Sequence, residues 1–311
     1  MDITEKRLPQ DGRANLQINN TDVDVRISSI CTVNGEKIVI RLLNRKTFLK
    51  DKIELGFSED ATKEIDNIVD NKSGILLITG TTGSGKTTTV YSILKDLIDS
   101  EKNIMTIEDP VEYKMDKVNQ IQVNKKIGLS FEVGLRSILR QDPDIIMIGE
   151  IRDEKTAQIA IRAATTGHLV LATLHSRDSI GAIFRLKEMG IPTYLINESL
   201  IGIISQRLIK KICSYCSHEI IIKEICEEVN TKLSLGCEMC ENKGYKGRTV
   251  SYEIIKINES IKNAIKSNKD SNQIREIAIE NNMILSSKDN TIMSEHQIIN
   301  SETYMQINEN M

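Results

Sequence analysis

The segment Gly80-Thr81-Thr82-Gly83-Ser84-Gly85-Lys86-Thr87 constrains this chain more than any other. It has the G-x-x-x-x-G-K-[ST] spacing of a P-loop, which requires a buried strand before it and a helix after it. The flanks supply both. Ile75-Leu76-Leu77-Ile78-Thr79 reads as a strand, and a helix is expected from about Lys86 to Asp99. Glycines let such a loop curl until its N–H groups converge on phosphate oxygens at a helix N-terminus, which already favours anions. Residues Gly80 to Thr88 are therefore expected to cradle nucleotide phosphates. Lys86 would supply a point charge to the β and γ phosphates, and the Thr87 hydroxyl a ligand for Mg²⁺.

The surrounding pattern fits an α/β domain. Asn103–Ile107 reads as a second strand. A helix near 131–140 precedes the strand Ile145–Ile148, and a helix over 154–165 precedes the strand Leu169–Leu174. Short buried strands alternating with helices imply a mostly parallel sheet covered on both faces. Upstream, residues 21–43 alternate and carry β-branched residues, Val23, Val25 and Ile27, then Ile38, Val39 and Ile40, with Asn34-Gly35 between the two runs, which predicts a strand pair. Residues 58–72 predict an amphipathic helix with Ile65, Ile68 and Val69 on one face. Residues 260–311 read as helical, polar and peripheral.

Hydrophobic residues make up 40% of the 311 positions, yet aromatics only 4% and Trp none, so the core must be aliphatic. A net charge of −3 offers no basic field for nucleic acid, and no direct nucleic-acid binding is expected. No apolar run approaches the roughly 18 residues of a membrane span. The first seven residues, Met1 to Arg7, hold no apolar signal region. The expectation is a soluble, cytoplasmic protein.

Hydrolysis needs acids near the metal and the attacking water. Asp144-Ile145-Ile146-Met147-Ile148-Gly149-Glu150 is an apolar strand ending in a carboxylate, which reads as a Walker B strand or as a core strand followed by a surface Glu. Glu108-Asp109-Pro110-Val111-Glu112 follows the second strand, either as an acidic turn or as strand-end carboxylates where an open α/β sheet binds its ligand. One of these can orient water. His168 and His175 bracket the strand Leu169–Leu174, one near each end; alone they read as structural histidines.

Cys213-Ser214-Tyr215-Cys216 and Cys237-Glu238-Met239-Cys240 form two C-x₂-C pairs with 20 residues between them. Four thiolates at this spacing suit a tetrahedral structural Zn²⁺. Four ligands leave no open position for catalysis. The competing readings are two unrelated pairs or a redox site. Cys31 reads as a small buried residue and Cys226 as a helix residue.

Together these segments resemble the secretion and type IV pilus ATPase superfamily, the GspE/PilB group of hexameric motors. The P-loop matches, as does its Asp box in Thr106-Ile107-Glu108-Asp109-Pro110-Val111-Glu112. Leu135 through Asp153 matches its Walker B region, Thr166 through His175 its His box, and Gly244-Tyr245-Lys246-Gly247-Arg248 its G-Y-x-G-R. The similarity runs from about Thr4 to the C-terminus. It implies a RecA-like P-loop ATPase core at 56–205, a partial PAS-like domain and linker at 1–55, a tetracysteine zinc subdomain at 206–250 and a helical region at 251–311. It implies ATP, Mg²⁺ and Zn²⁺ as cofactors. Glu112 aligns with the catalytic glutamate, Glu150 with the Walker B glutamate, and His168 and His175 with nucleotide-sensing histidines. Glu108 and Asp109 fall in the nucleotide-binding Asp box. Arg26 and Arg41 align with arginines that reach a γ-phosphate from a neighbouring domain; on their own they read as solvated strand arginines. Arg136, Arg140 and Arg152 also fall on family arginines.

The expected function is an ATP-hydrolysing hexameric motor for pilus assembly or type II secretion. It would work on an inner-membrane platform protein from the inner face of the cell membrane. The tetracysteine insert favours assembly or secretion over retraction. Some positions depart from the family. Glu5 through Arg13 matches a stretch late in the PAS-like domain, so about half of that domain is expected to be missing, leaving an unpaired edge and an incomplete core. Arg177 stands where Asn is usual, and Val250-Ser251 where Gly-Ile is usual. The shortened front motivates a second reading, a nucleotide-binding regulator of a full-length motor. A third is a competence or DNA-transfer ATPase of the same superfamily.

Overall fold

The computed structural model describes residues 1–18, 21–44, 50–98, 101–223, 228–234 and 236–285. The chain divides into two units, Met1–Lys50 and Asp51–Met311.

The first unit is an antiparallel sheet of β1 (Gln10–Ile18), β2 (Thr21–Thr32) and β3 (Gly35–Asn44), in that order. The strand pair expected around Asn34-Gly35 is β2–β3, closing with Thr32 opposite Gly35. Strand β1 has no counterpart in the sequence reading. Its Gln10-Asp11-Gly12-Arg13 start is polar and carries a glycine, so local propensity is weak. A ladder from Gln10↔Ser29 to Ile18↔Thr21 holds it in place. Residues directly opposite each other share a face. Ala14, Val25 and Leu42 therefore lie on one face with Ile27 and Ile40, while Arg13, Arg26 and Arg41 form a row across the other. Leu16, Ile38, Ile40 and Leu42 are exposed. Cys31 is exposed rather than buried, because it sits opposite Glu36 at the hairpin end of β2.

The second unit runs α1 (Lys52–Leu55), α2 (Glu59–Val69), β4 (Gly74–Thr79), α3 (Lys86–Leu97), β5 (Ile104–Glu108), β6 (Asn119–Gln122), α4 (Phe131–Ile138), β7 (Ile145–Ile148), α5 (Glu154–Thr165), β8 (Leu169–Leu174), α6 (Ser179–Glu188) and α7 (Thr193–Ser199). It continues through β9 (Leu200–Ile212), β10 (Ser217–Lys223), β11 (Glu228–Ser234), β12 (Tyr245–Lys256), α8 (Glu259–Lys266), α9 (Ser271–Glu280) and β13 (Ile284–Leu285). Eight of these strands form one mixed sheet, ordered β13-β12-β9-β4-β8-β7-β5-β6. From β9 to β6 all neighbours are parallel, and β12 and β13 add an antiparallel edge.

Every residue of β4, β5, β7 and β8 is buried. Side chains alternate between faces along a strand, so both faces are covered. The core is aliphatic, as composition requires: Ile75, Leu77, Ile107, Ile146, Ile148 and Val170 pack against Leu135, Ile161 and Ile183 from the helices. Ser58, Asp153 and Asp178 cap α2, α5 and α6 by accepting from Ala61, Thr156 and Gly181 N–H groups.

The segment 206–250 begins and ends inside main-sheet strands, β9 and β12, with the antiparallel β10–β11 hairpin between them. After it come the rest of β12, then α8, α9 and β13. Residues 286–311 of the expected helical region lie outside the described residues, as do Cys226 and Asp99.

A polar clamp ties this C-terminal part to the sheet. Glu253 of β12 accepts from the Ser179 N–H (3.1 Å) and hydroxyl (2.7 Å) at the start of α6. Arg275 of α9 bridges Glu253 (3.1 Å) and Asp178 (3.2 Å). Burial pushes the Glu253 carboxyl up, but Ser179 and Arg275 outweigh it and hold it below the usual carboxylate value. A depressed carboxylate contributes stability above its unfolded pKa and loses it as pH falls through the lower folded value. Arg275→Met should therefore lower stability by about 1–3 kcal/mol near pH 7, measured by urea unfolding. The gap to the parent should narrow below about pH 4.5. An unchanged gap at acid pH would contradict this account.

Candidate active site

Parallel neighbours point the same way, so whatever follows β4, β8, β7 and β5 emerges on one edge of the sheet, where open α/β sheets bind ligands. In spatial order these are the P-loop after β4, His175 after β8, Gly149-Glu150 after β7, and Glu108 at the end of β5. Four segments far apart in sequence thus meet because their strands are neighbours.

The loop Gly80–Gly85 joins β4 to α3. Gly80 has φ of 147°, and a Cβ there would lie 2.3 Å from the Gln206 carbonyl oxygen. Gly85 takes a left-handed φ of 89° as it caps α3. Ser84 and Lys86 are buried, Thr87 and Thr88 are half-buried in the first turn of α3, and Thr81, Thr82 and Gly83 are exposed. The Lys86 ammonium donates to the carbonyls of Gly80 (2.8 Å) and Thr81 (3.1 Å). Burial pushes its pKa down, and the negative charge of Glu150 opposes that shift. From β9, the Gln206 amide donates to the Ser84 carbonyl (2.8 Å). Gln206 is 1% exposed and braces the loop from the neighbouring strand. No motif marks it; only its place on a β4 neighbour does.

The Glu150 carboxylate is mostly buried and holds two partners: Arg152 Nε at 2.6 Å and His175 Nε2 at 2.9 Å. The loop after β8 is fixed to the end of β4, since Thr79 Oγ1 accepts from the Ser176 N–H (2.9 Å) and shares a hydrogen bond with its hydroxyl (2.8 Å). Arg207 of β9 donates to the Arg177 carbonyl (3.3 Å). Glu150 and His175 are thus brought together with Lys86 near.

His168 is not part of this group. It precedes the first residue of β8, whose six residues span roughly 20 Å. It therefore sits at the opposite edge of the sheet, with Nδ1 2.9 Å from the Ala163 carbonyl at the end of α5. The seven-residue spacing that puts one histidine at each end of the strand allows only His175 at the P-loop edge.

Glu108 is also displaced from its expected nucleotide contact. It is 2% exposed, and its carboxylate is enclosed by donors: Thr106 hydroxyl (2.6 Å), Gln120 amide (3.2 Å) and the Tyr91 hydroxyl. Burial pushes its pKa up, partly offset by these hydrogen bonds. A carboxylate with both oxygens engaged inside the core supports a site rather than contacting a ligand. Asp109 is exposed and lines a cleft of about 470 Å³ with Lys125, Arg152 and Lys155. Glu112 is half-buried, and its backbone N–H donates to the Tyr91 hydroxyl (3.3 Å). Arg26 and Arg41 belong to the first unit, where they are directly opposite each other. Asp24 lies 3.2 Å from Arg13 and 4.0 Å from Arg26.

The four cysteines converge. Cys213 and Cys216 follow β9, and Cys237 and Cys240 lie on the return to β12. Their sulfurs lie within 4.8 Å of one another, and the Cys213–Cys237, Cys216–Cys240 and Cys237–Cys240 separations are each 3.8 Å. A tetrahedron with Zn–S bonds of ~2.3 Å needs sulfurs about 3.8 Å apart, whereas a disulfide needs about 2.05 Å. Backbone N–H groups of Cys237 (3.2 Å) and Gly244 (3.3 Å) donate to the Cys240 sulfur. Burial pushes that thiol up, but these donors outweigh it and bring it to about 6. Burial and the neighbouring thiols push the Cys237 thiol the other way, up to about 11. The donor set is thus compatible with zinc in number and spacing.

Among the described residues, no helix is long and apolar enough to cross a membrane. The family model of type II/IV secretion system proteins matches residues 1–304. The type II secretion system protein E of Dickeya dadantii is 44% identical over 273 residues, 85% of this chain and 55% of its own length. The type IV pilus assembly ATPase PilB of Thermus thermophilus is 45% identical over 289 residues, 89% of this chain and 32% of its own. The chain thus spans about half, or less, of the length of these curated relatives. Among solved structures, the ADP-bound pilus retraction motor PilT superposes with a TM-score of 0.62 at 28% identity, covering 88% of this chain and 75% of PilT. The Legionella pneumophila ATPase DotB shares the fold, with a TM-score of 0.71 at 23% identity over 98% of this chain and 78% of its own. On the P-loop, the strand-end acids and this family match along its length, the chain belongs to the type II/IV secretion system protein family.

Proposed function

We propose that this chain is a RecA-like, P-loop ATPase and the motor portion of a hexameric machine for pilus assembly or type II secretion, acting on a platform protein at the inner membrane. One observation carries the reading: the P-loop, the Glu150–His175 pair and the acidic loop with Glu112 emerge side by side on one edge of a single sheet. The secretion relative and the pilus relative match at 44% and 45% identity, and a motor is the role common to both readings.

The chemistry is attack of water on the γ-phosphorus. The new P–O bond forms as the bond to the β–γ bridging oxygen breaks, releasing ADP and phosphate. In this reading the backbone N–H groups of Gly80–Thr88 orient the phosphates, and Lys86 leaves its own loop carbonyls for phosphate oxygens. Glu112 takes the proton from the attacking water. Glu150 orients His175 toward the γ-phosphate edge, and Glu150 and the Thr87 hydroxyl would hold Mg²⁺, which would neutralise charge on the phosphates. Arg13, Arg26 and Arg41 form a row across one face of the first unit, with Asp24 beside Arg13 and Arg26. In this reading Arg26 and Arg41 reach a nucleotide phosphate from a neighbouring domain. The first unit is read as a partial PAS-like domain. The four cysteines are read as a structural Zn²⁺ site that joins the ends of β9 and β12.

ATP turnover by the purified chain tests the enzymatic reading. Lys86→Ala should abolish nucleotide binding and turnover together. Glu112→Gln should retain binding and lower kcat by about 10²–10⁴-fold, the usual scale for loss of a general base. Undiminished turnover in Glu112→Gln would remove Glu112 from that role, and binding without turnover by the parent chain would favour a regulator. Metal analysis tests the zinc reading independently. The purified chain should hold about one Zn²⁺, and Cys240→Ser should lose it and unfold at lower temperature. A metal-free chain that does not take up Zn²⁺ on titration would overturn it.

A further inference from the structure

A buried polar cluster of the second unit lies beneath the acidic loop and contains no P-loop residue. Tyr91 sits on α3, the helix that the P-loop opens, and is fully buried. Its hydroxyl donates to the Glu108 carboxylate and accepts from the Glu112 backbone N–H (3.3 Å). Glu108 collects two further donors, Thr106 and Gln120. Gln120 reaches the same loop twice more, donating to the Tyr113 carbonyl (2.9 Å) and accepting from the Met115 N–H (2.8 Å). The loop after β5 is therefore pinned at residues 112, 113 and 115 to one buried carboxylate. Of the two pins, only Tyr91 comes from the phosphate-binding helix.

From this geometry we infer that Tyr91 and Glu108 are positioning residues that lock the loop bearing Glu112 to the helix bearing Lys86 and Thr87. The inference rests on the reading of Glu112 as the general base. The Tyr91 hydroxyl donates to Glu108, which turns a lone pair of the hydroxyl toward the Glu112 N–H. A satisfied buried network of this kind rigidifies its members. A general base contributes only when held within a fraction of an ångström of the reacting water. Displacement by about 1 Å can cost on the order of 10²-fold in rate. A residue that sets this distance acts on kcat rather than on nucleotide binding.

Tyr91→Phe removes the hydroxyl and keeps the ring. Tyr252→Phe is the matched control. Tyr252 is also buried, and its hydroxyl also accepts from a backbone N–H (Ser58, 3.1 Å) and donates to an oxygen (Ser58 Oγ, 3.1 Å), but it does so at the cap of α2. Steady-state ATPase kinetics and amide hydrogen exchange are measured on both variants and the parent chain. Tyr91→Phe should lower kcat about 10- to 100-fold with KM for ATP within about 3-fold, and should speed exchange of the Glu112 amide. Tyr252→Phe should lose comparable thermal stability with kcat unchanged. Overturning results are a Tyr91→Phe kcat within 2-fold of the parent with the Glu112 amide still protected, or equal kcat losses in both variants. If Glu112→Gln turns over normally, the general-base reading fails, and exchange at the Glu112 amide then decides by itself whether Tyr91 anchors the loop.

Discussion

Strand β4 is the constraint on which the rest of the second unit depends. All six of its residues are buried, and it is parallel to both neighbours, β8 and β9. A strand with no exposed face cannot slip in register without moving apolar side chains out of both layers at once. Its carboxyl end is therefore fixed, and with it the point at which the phosphate loop begins. The loop is then closed in from the side: Gly80 meets the Gln206 backbone too closely for any side chain, and the Gln206 amide holds the Ser84 carbonyl. The P-loop shape is imposed by β9 as much as by its own glycines.

The same parallel arrangement assembles the chemistry. Each acid or histidine is only a strand-end residue in its own segment. Alignment of β8, β7 and β5 beside β4 turns them into one edge. Beyond that edge β9 and β12 run on to the four cysteines. A single strand, β9, thus carries Gln206 against the P-loop and Arg207 against the loop after β8, and leads directly into Cys213 of the sulfur cluster. The four sulfurs gather where β9 ends and β12 begins.

Much of this was legible in the sequence. The P-loop, the strands before and after it and the two C-x₂-C pairs are local signals: glycine spacing, apolar runs and ligand spacing each act over a few residues. What was not legible depends on partners outside each segment. Strands β1 and β6 are polar and are held by ladders rather than propensity. The β10–β11 hairpin lies between the cysteine pairs with no Asn-Gly turn to announce it. Glu108 looked like a ligand-facing acid because nothing in its own segment reveals Tyr91 above it, and Gln206 carries no motif at all. His168 lies at the opposite end of β8 from His175, as their seven-residue spacing requires, and Cys31 is exposed because it sits at the hairpin end of β2.

The account's central claim is that this sheet edge binds the triphosphate of ATP. The most direct test is a crystal structure with a non-hydrolysable ATP analogue and Mg²⁺. The account predicts the phosphates within hydrogen-bond distance of the Gly80–Thr88 backbone. It also predicts Lys86 on phosphate oxygens in place of the Gly80 and Thr81 carbonyls, and His175 and Glu150 at the γ-phosphate end. Nucleotide bound elsewhere, or Lys86 still engaged with its own loop beside a bound nucleotide, would contradict it.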